Sequence, residues 1–174
     1  MGKEKKVIIA LYGPAHKGKT TTLNLLIKSL GGPEGTEDRR VRLSYKKSKE
    51  ENKEENKEEK KIAITTYGDD KEQLQRNVDF FNEESCDIYV TATRTKKGTV
   101  EALEDFEEDD IGTKAIWIYK SYLTYSELNR GKKKKPLKES ITEQQIEIIR
   151  KTINEKQAET IKLVIDNIIE EWEK

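Results

Sequence analysis

Eight consecutive residues, Gly13-Pro14-Ala15-His16-Lys17-Gly18-Lys19-Thr20, have the types and spacing to do chemistry. They fit G-x-x-x-x-G-K-[ST] at every constrained position. Glycines let a backbone curl so that successive N–H groups point inward, where a Cβ would obstruct. Such a concavity takes an anion, and a helix starting near Lys19 adds the positive end of its dipole. Lys19 brings a point charge suited to β- and γ-phosphates, and Thr20 a hydroxyl suited to Mg²⁺. The expected nucleotide-binding residues are therefore Gly13, Pro14, Ala15, His16, Lys17, Gly18, Lys19, Thr20 and Thr21. His16 and Lys17 read best as exposed positions between the glycines, with a place near the γ-phosphate as the other reading.

A loop of this kind works only if a strand delivers it and a helix leaves it. Residues 6–12, Lys-Val-Ile-Ile-Ala-Leu-Tyr, read as a buried strand, and residues 20–30 as a helix with Leu23, Leu26 and Leu30 on one face. Gly31-Gly32-Pro33 ends that helix. Val41, Leu43 and Tyr45 then alternate with Arg42 and Ser44, the pattern of a half-exposed strand at a sheet edge. Residues 49–60 repeat Lys-Glu-Glu-Asn and hold no apolar side chain, so with their flanks they form a charged insertion at 46–61. The reading is a solvated loop or hairpin tip, with partner docking as the alternative. Residues 62–66 are the next strand, joined antiparallel to the one before. Asp70 opens a helix with Gln73 three residues on, and Leu74, Val78 and Phe81 form its buried stripe. Residues 88–92 are a further buried strand. Gly98-Thr99 leads into a helix with Val100, Leu103 and Phe106 facing in, and residues 115–119 form the last strand. Gly131 and Lys132 to Lys135, before Pro136, read as a linker. From 140 to 173 the chain is helical, with Ile146, Ile149 and Ile153, then Ile161, Ile165, Ile168 and Trp172. The two sets are out of step near 154–158, which leaves a bend, two helices or one rod open. Strands alternating with helices predict an α/β fold with a mainly parallel sheet.

At 174 residues the chain has the length of one domain. Charged residues make up 39% and apolar residues 33%, but much of the charge sits in the insertion and the C-terminal helical segment. Lys plus Arg and Asp plus Glu are equal at 34, so no global field favours nucleic acid or a membrane surface. The lone Cys86 cannot pair internally, which points to a reducing compartment. The first residues run into a strand without a signal-peptide pattern, and no apolar run reaches membrane-spanning length. A cytoplasmic protein is expected.

With its flanks and its continuation Gly18-Lys19-Thr20-Thr21-Thr22-Leu23, the octapeptide resembles the start of a P-loop NTPase with a complete Walker A motif. The resemblance implies a three-layer, Rossmann-like single domain over 1–174. Its sheet would hold about five mainly parallel strands with one antiparallel edge strand, backed by C-terminal helices. It also implies a Mg²⁺-nucleoside triphosphate ligand, taken as ATP on the base reading that follows. The family pattern wants an Asp at a strand end to manage Mg²⁺. Strand 62–66 ends without one, and Asp69 arrives a few residues later. Asp69 is the expected partner of Thr20 at the metal and of Lys19 in catalysis, or else a plain loop acid. Asp70 reads as a helix cap, and Asp87 as the start of a strand. Asp38-Arg39 resembles the acceptor-site pairs of small kinases. Arg94 and Lys96 follow a strand at the sheet edge where ligands lie, so Arg94 is a phosphate contact or a solvated charge. Thr93-Arg94-Thr95-Lys96 lacks the Asp of an Asn-Lys-x-Asp guanine reader, which favours adenine. No Ser-Gly-Gly transporter signature occurs. Three functions remain: an ATPase acting as switch or motor for a partner, a small-molecule kinase, or a non-catalytic nucleotide-dependent module. A protein partner or a homodimer would use the C-terminal helices, and nucleic acid is not expected.

Overall fold

The computed structural model describes residues 6–35, 37, 39–46, 58–95, 97–109, 113–120 and 142–174. Asp38, Lys96, residues 49–57 of the repeat and the lysine run 132–135 lie outside them, as does the side chain of Phe106.

The elements run β1 (Lys6–Tyr12), α1 (Lys19–Ser29), β2 (Arg40–Tyr45), β3 (Lys60–Thr65), α2 (Lys71–Glu84), β4 (Ile88–Thr93), α3 (Lys97–Asp109), β5 (Thr113–Tyr119) and α4 (Glu143–Trp172). The five strands form one sheet in the order β2-β3-β4-β1-β5. All neighbours are parallel except β2 and β3, which pair antiparallel with Val41 opposite Ile64 and Tyr45 opposite Lys60. The α/β architecture and the antiparallel edge strand are thus as expected. β3 begins two residues earlier than read, so Lys60 and Lys61 belong to the strand rather than the insertion.

Crossovers between parallel strands are right-handed. From β1 the chain moves one way to β3, and from β3 it returns through β4 to β5. Opposite directions place α1 on one face and α2 and α3 on the other. The core divides accordingly. Val7, Ile9 and Leu11 of β1 pack with Leu23, Leu26 and Ile27 of α1 and with Ile161 and Ile165 of α4. Ile8 and Ala10 face Leu74, Val78 and Phe81 of α2 and Leu103 of α3. β1 is therefore apolar on both sides, as a covered parallel strand must be. Ile8, Ile9 and Leu11 are fully buried, each contributing about 1.5–3 kcal/mol, so the residue that follows the strand is rigidly delivered.

Asp70 caps α2 by accepting from the Gln73 N–H at 2.8 Å, while the Gln73 side chain reaches back to the Asp69 N–H at 3.1 Å. Asp87 ties the strand starts, accepting from the Lys61 N–H through its side chain at 2.7 Å and from the Val7 N–H through its carbonyl at 3.1 Å. On α3 the buried positions are Thr99, Ala102 and Leu103, whereas Val100 is only half-buried.

The C-terminal segment is one continuous helix of 30 residues, not two. Thr142 and Gln145 close a capping box at its start. Ile149 is 48% exposed, contrary to the expectation that it faces in. At the far end, Asp166 accepts from the Tyr45 hydroxyl at 2.8 Å and from the Lys162 ammonium at 3.0 Å. α4 therefore runs from the carboxyl edge of the sheet toward the opposite edge, alongside α1 and in the same direction. Among the described residues, no helix is long and apolar enough to cross a membrane.

Candidate functional site

Connections from the neighbouring strands β1 and β4 leave toward opposite faces. Such a divergence opens a crevice at the carboxyl edge of an α/β sheet, where ligands bind. The octapeptide begins there. The Gly13 N–H donates to the Thr93 carbonyl at 3.2 Å, anchoring the loop to β4. On its other side Gly13 lies against the end of β5. A Cβ at Gly13 would sit 2.1 Å from the Lys120 carbonyl oxygen, so only glycine allows this approach. Gly18 closes the loop in the left-handed region, at φ 75°, and hands the chain to α1.

α1 starts without any side-chain cap and without an acid in its first turn. α2 and α4, by contrast, are capped by Asp70 and Thr142. Uncapped first-turn N–H groups and the dipole make this terminus suited to an external anion. Lys19 folds back over the loop and donates to the carbonyls of Gly13 at 3.0 Å and Pro14 at 2.8 Å. An ammonium has three donors, so among the described residues one remains for a ligand. Burial pulls the Lys19 pKa below its ordinary value, the negative charge of Asp69 opposes this, and Arg94 adds to it.

A cavity of about 660 Å³ opens above the loop. Its lining joins three walls: His16, Lys17, Gly18, Lys19, Thr20, Thr21 and Leu25 from the loop and α1; Thr66, Tyr67, Asp69 and Ala92 from the ends of β3 and β4; and Glu147, Arg150, Lys151, Asn154 and Glu155 from α4. Gly13, Pro14 and Ala15 lie outside the lining, and the first two hold the ammonium through their carbonyls. His16 is exposed as expected, but Lys17 is not: it is only 6% exposed.

Asp69 reaches the cavity because Gly68 lets the β3–α2 connection pass tightly over β4. A Cβ at Gly68 would stand 2.0 Å from the Ala92 carbonyl oxygen. Two candidates read separately in the sequence are joined here: Arg94 donates to Asp69 at 2.7 Å. That bond holds the Asp69 carboxyl below the usual carboxylate range, against the effect of burial, with Lys19 and His16 helping. The Thr20 hydroxyl donates to the Thr66 carbonyl at 2.9 Å, which ties the start of α1 to the end of β3. Thr20 and Asp69 are hard oxygen donors on one cavity, which suits Mg²⁺ held mainly by phosphate oxygens and water. Among the described residues, no group of three or more His, Cys, Asp or Glu could hold a metal by itself.

Sequence reasoning missed two contributions. Lys120 follows β5 at the carboxyl edge and is 1% exposed. Its N–H donates to the Tyr12 carbonyl at 2.8 Å and its ammonium to Gln157 of α4 at 2.8 Å. Burial, with Lys19 nearby, pushes its pKa down to about 8 from 10.5. Between those values the unfolded chain holds the proton and the folded one does not, so stability rises with pH from about 8 and levels above 10.5. Wild type is expected to gain stability relative to Lys120→Met across that window, as read by denaturant unfolding at pH 7, 9 and 10.5. A flat difference would show that the buried ammonium carries no such cost.

The second missed contribution is the polar half of α4. Asn154, 7% exposed, accepts from the Thr22 hydroxyl at 3.4 Å, fastening the helix to the first turns of α1. The signal was present in the apolar sets of the C-terminal helix falling out of step. Comparison with protein-family models, with curated proteins and with solved structures gives no match.

Proposed function

We propose that this chain is a P-loop nucleoside triphosphatase that binds Mg²⁺-ATP and hydrolyses it. The observation that carries the reading is the convergence on one cavity of an uncapped helix start, the Lys19 ammonium and a glycine-delivered loop at the β1/β4 divergence. The loop N–H groups and Lys19 would bind the β- and γ-phosphates and stabilise charge as it shifts from the γ-phosphoryl group toward the leaving diphosphate. Thr20 and Asp69 would hold Mg²⁺, which supplies neutralisation of phosphate charge. Arg94 would fix Asp69 in orientation through their ion pair and keep it ionised. Adenine is favoured by the missing guanine-reading Asp.

A switch or motor role toward a partner is supported by the exposed Ile148, Ile149 and Leu163 on α4, the helix that also lines the cavity. Incubation with each of the four triphosphates and Mg²⁺, with and without a metabolite mixture, tests the reading by chromatography of the products. Release of diphosphate and inorganic phosphate from ATP is expected. Transfer to a metabolite would make the chain a kinase, and bound but uncleaved nucleotide would make it a non-catalytic module.

A further inference from the structure

One face of α4 changes character along its length. Ala158, Ile161, Ile165 and Ile169 lie on the core, at helical spacing and nearly fully buried. Continued toward the N-terminus, the same stripe passes through Asn154 and reaches Arg150. Beside the cavity this stripe carries two polar residues, Asn154 and Arg150, and it turns apolar again only at the buried Ile146. A helix serving only as a brace would carry apolar residues at these two positions as well.

The position of Arg150 follows from the Asn154–Thr22 bond. α1 and α4 run in the same direction, so one turn before Asn154 is level with one turn before Thr22. That level, about 6 Å toward the carboxyl edge, is where Gly18 and Lys19 stand. Arg150 lines the same cavity as they do, with its side chain only 27% exposed, and pairs with Glu147 on the preceding turn. Lys151 beside it also lines the cavity but is 78% exposed and pairs with Glu155. A planar guanidinium largely withdrawn from water, on the same cavity as the Lys19 ammonium, is suited to phosphoryl oxygens.

Resting on the nucleotide reading above, we infer that Arg150 is a catalytic residue, carried by α4 to the terminal phosphate in the cavity it shares with Lys19. In the step it would assist, a water oxygen bonds to the γ-phosphorus. The bond to the bridging oxygen breaks, and its electron pair leaves on the diphosphate. One water proton remains on inorganic phosphate and the other passes to solvent, according to pH. Arg150 shares the charge that moves among these oxygens, releasing Glu147 as it does so.

The test compares wild type, Arg150→Ala and Arg150→Lys by titration with Mg²⁺-ADP, with and without aluminium fluoride, and by turnover at saturating Mg²⁺-ATP. All three are expected to bind Mg²⁺-ADP within about threefold of one another, because the residue acts on the terminal group. Aluminium fluoride should tighten ADP binding to wild type but not to the alanine variant. Turnover of that variant should fall about 100-fold or more, and added guanidinium ion should restore part of it. An alanine variant that keeps both the fluoride gain and the turnover overturns the assignment. So does one that loses only ADP affinity. Should the alanine variant fail to fold, the lysine variant decides by the same two readouts, since it keeps charge and stem but not the planar fork. Wild type that binds no nucleotide overturns the nucleotide reading, and this inference with it.

Discussion

Lys19→Ala is expected to weaken binding of Mg²⁺-ATP by about 100-fold or more while leaving the fold intact. Charge-assisted hydrogen bonds contribute roughly 1.5–3 kcal/mol each, and the lost ammonium is withdrawn from water, where its charge acts most strongly. Its present partners are two carbonyls of its own loop, Gly13 and Pro14. No element outside the loop depends on those bonds. Burial also lowers the Lys19 pKa, so the charged form is held at a cost in the folded chain. Removing it should therefore leave the melting temperature unchanged or raised. Unchanged nucleotide affinity in a folded variant would remove the basis for the phosphate-binding role.

Gly13→Ala is expected to damage stability and binding together. The added methyl would lie 2.1 Å from the Lys120 carbonyl oxygen and 3.1 Å from its carbon, both backbone atoms of the strand edge beside it. Neither can rotate aside, so β5 or the loop must move. Overpacking of this kind costs about 1–3 kcal/mol, or a fall in melting temperature of roughly 2–12 °C for a domain of this size. The Gly13 carbonyl moves with it, and Lys19 loses one of the acceptors that aim it. Gly31→Ala is the matched control. Its φ is +81° but nothing lies within 4 Å of the new methyl, so strain of about 1 kcal/mol should appear with nucleotide affinity unchanged. Equal effects of the two substitutions on affinity would contradict the role given to Gly13.

Local features of this chain were legible because local chemistry decides them. The β1–loop–α1 unit, the Asp70 cap and the alternation of Val41, Leu43 and Tyr45 each follow from neighbours in sequence. What escaped depends on residues far apart. Nothing near Lys120 says that a strand end will be buried under Gln157, 37 residues later. Lys17 sits between loop residues in the sequence and reads as exposed, yet it is only 6% exposed in the folded chain. Arg94 and Asp69 were each given a ligand, whereas the passage of Gly68 over β4 joins them to each other. In α4 the disagreement between apolar sets was read as a possible break. It marks instead the place where one unbroken helix passes from core to cavity, so the period of burial continues while the residue types change.

The central claim is that the cavity at the β1/β4 divergence binds a nucleotide through its phosphates. Calorimetric titration of the wild-type chain with ATP, ADP and AMP in Mg²⁺ buffer tests it most directly. Affinity should follow the phosphate chain, with ATP and ADP bound and AMP weaker by about 100-fold or more, the loss of charge-assisted bonds to the loop and Lys19. Equal affinity for all three, or no heat with ATP, would contradict the account.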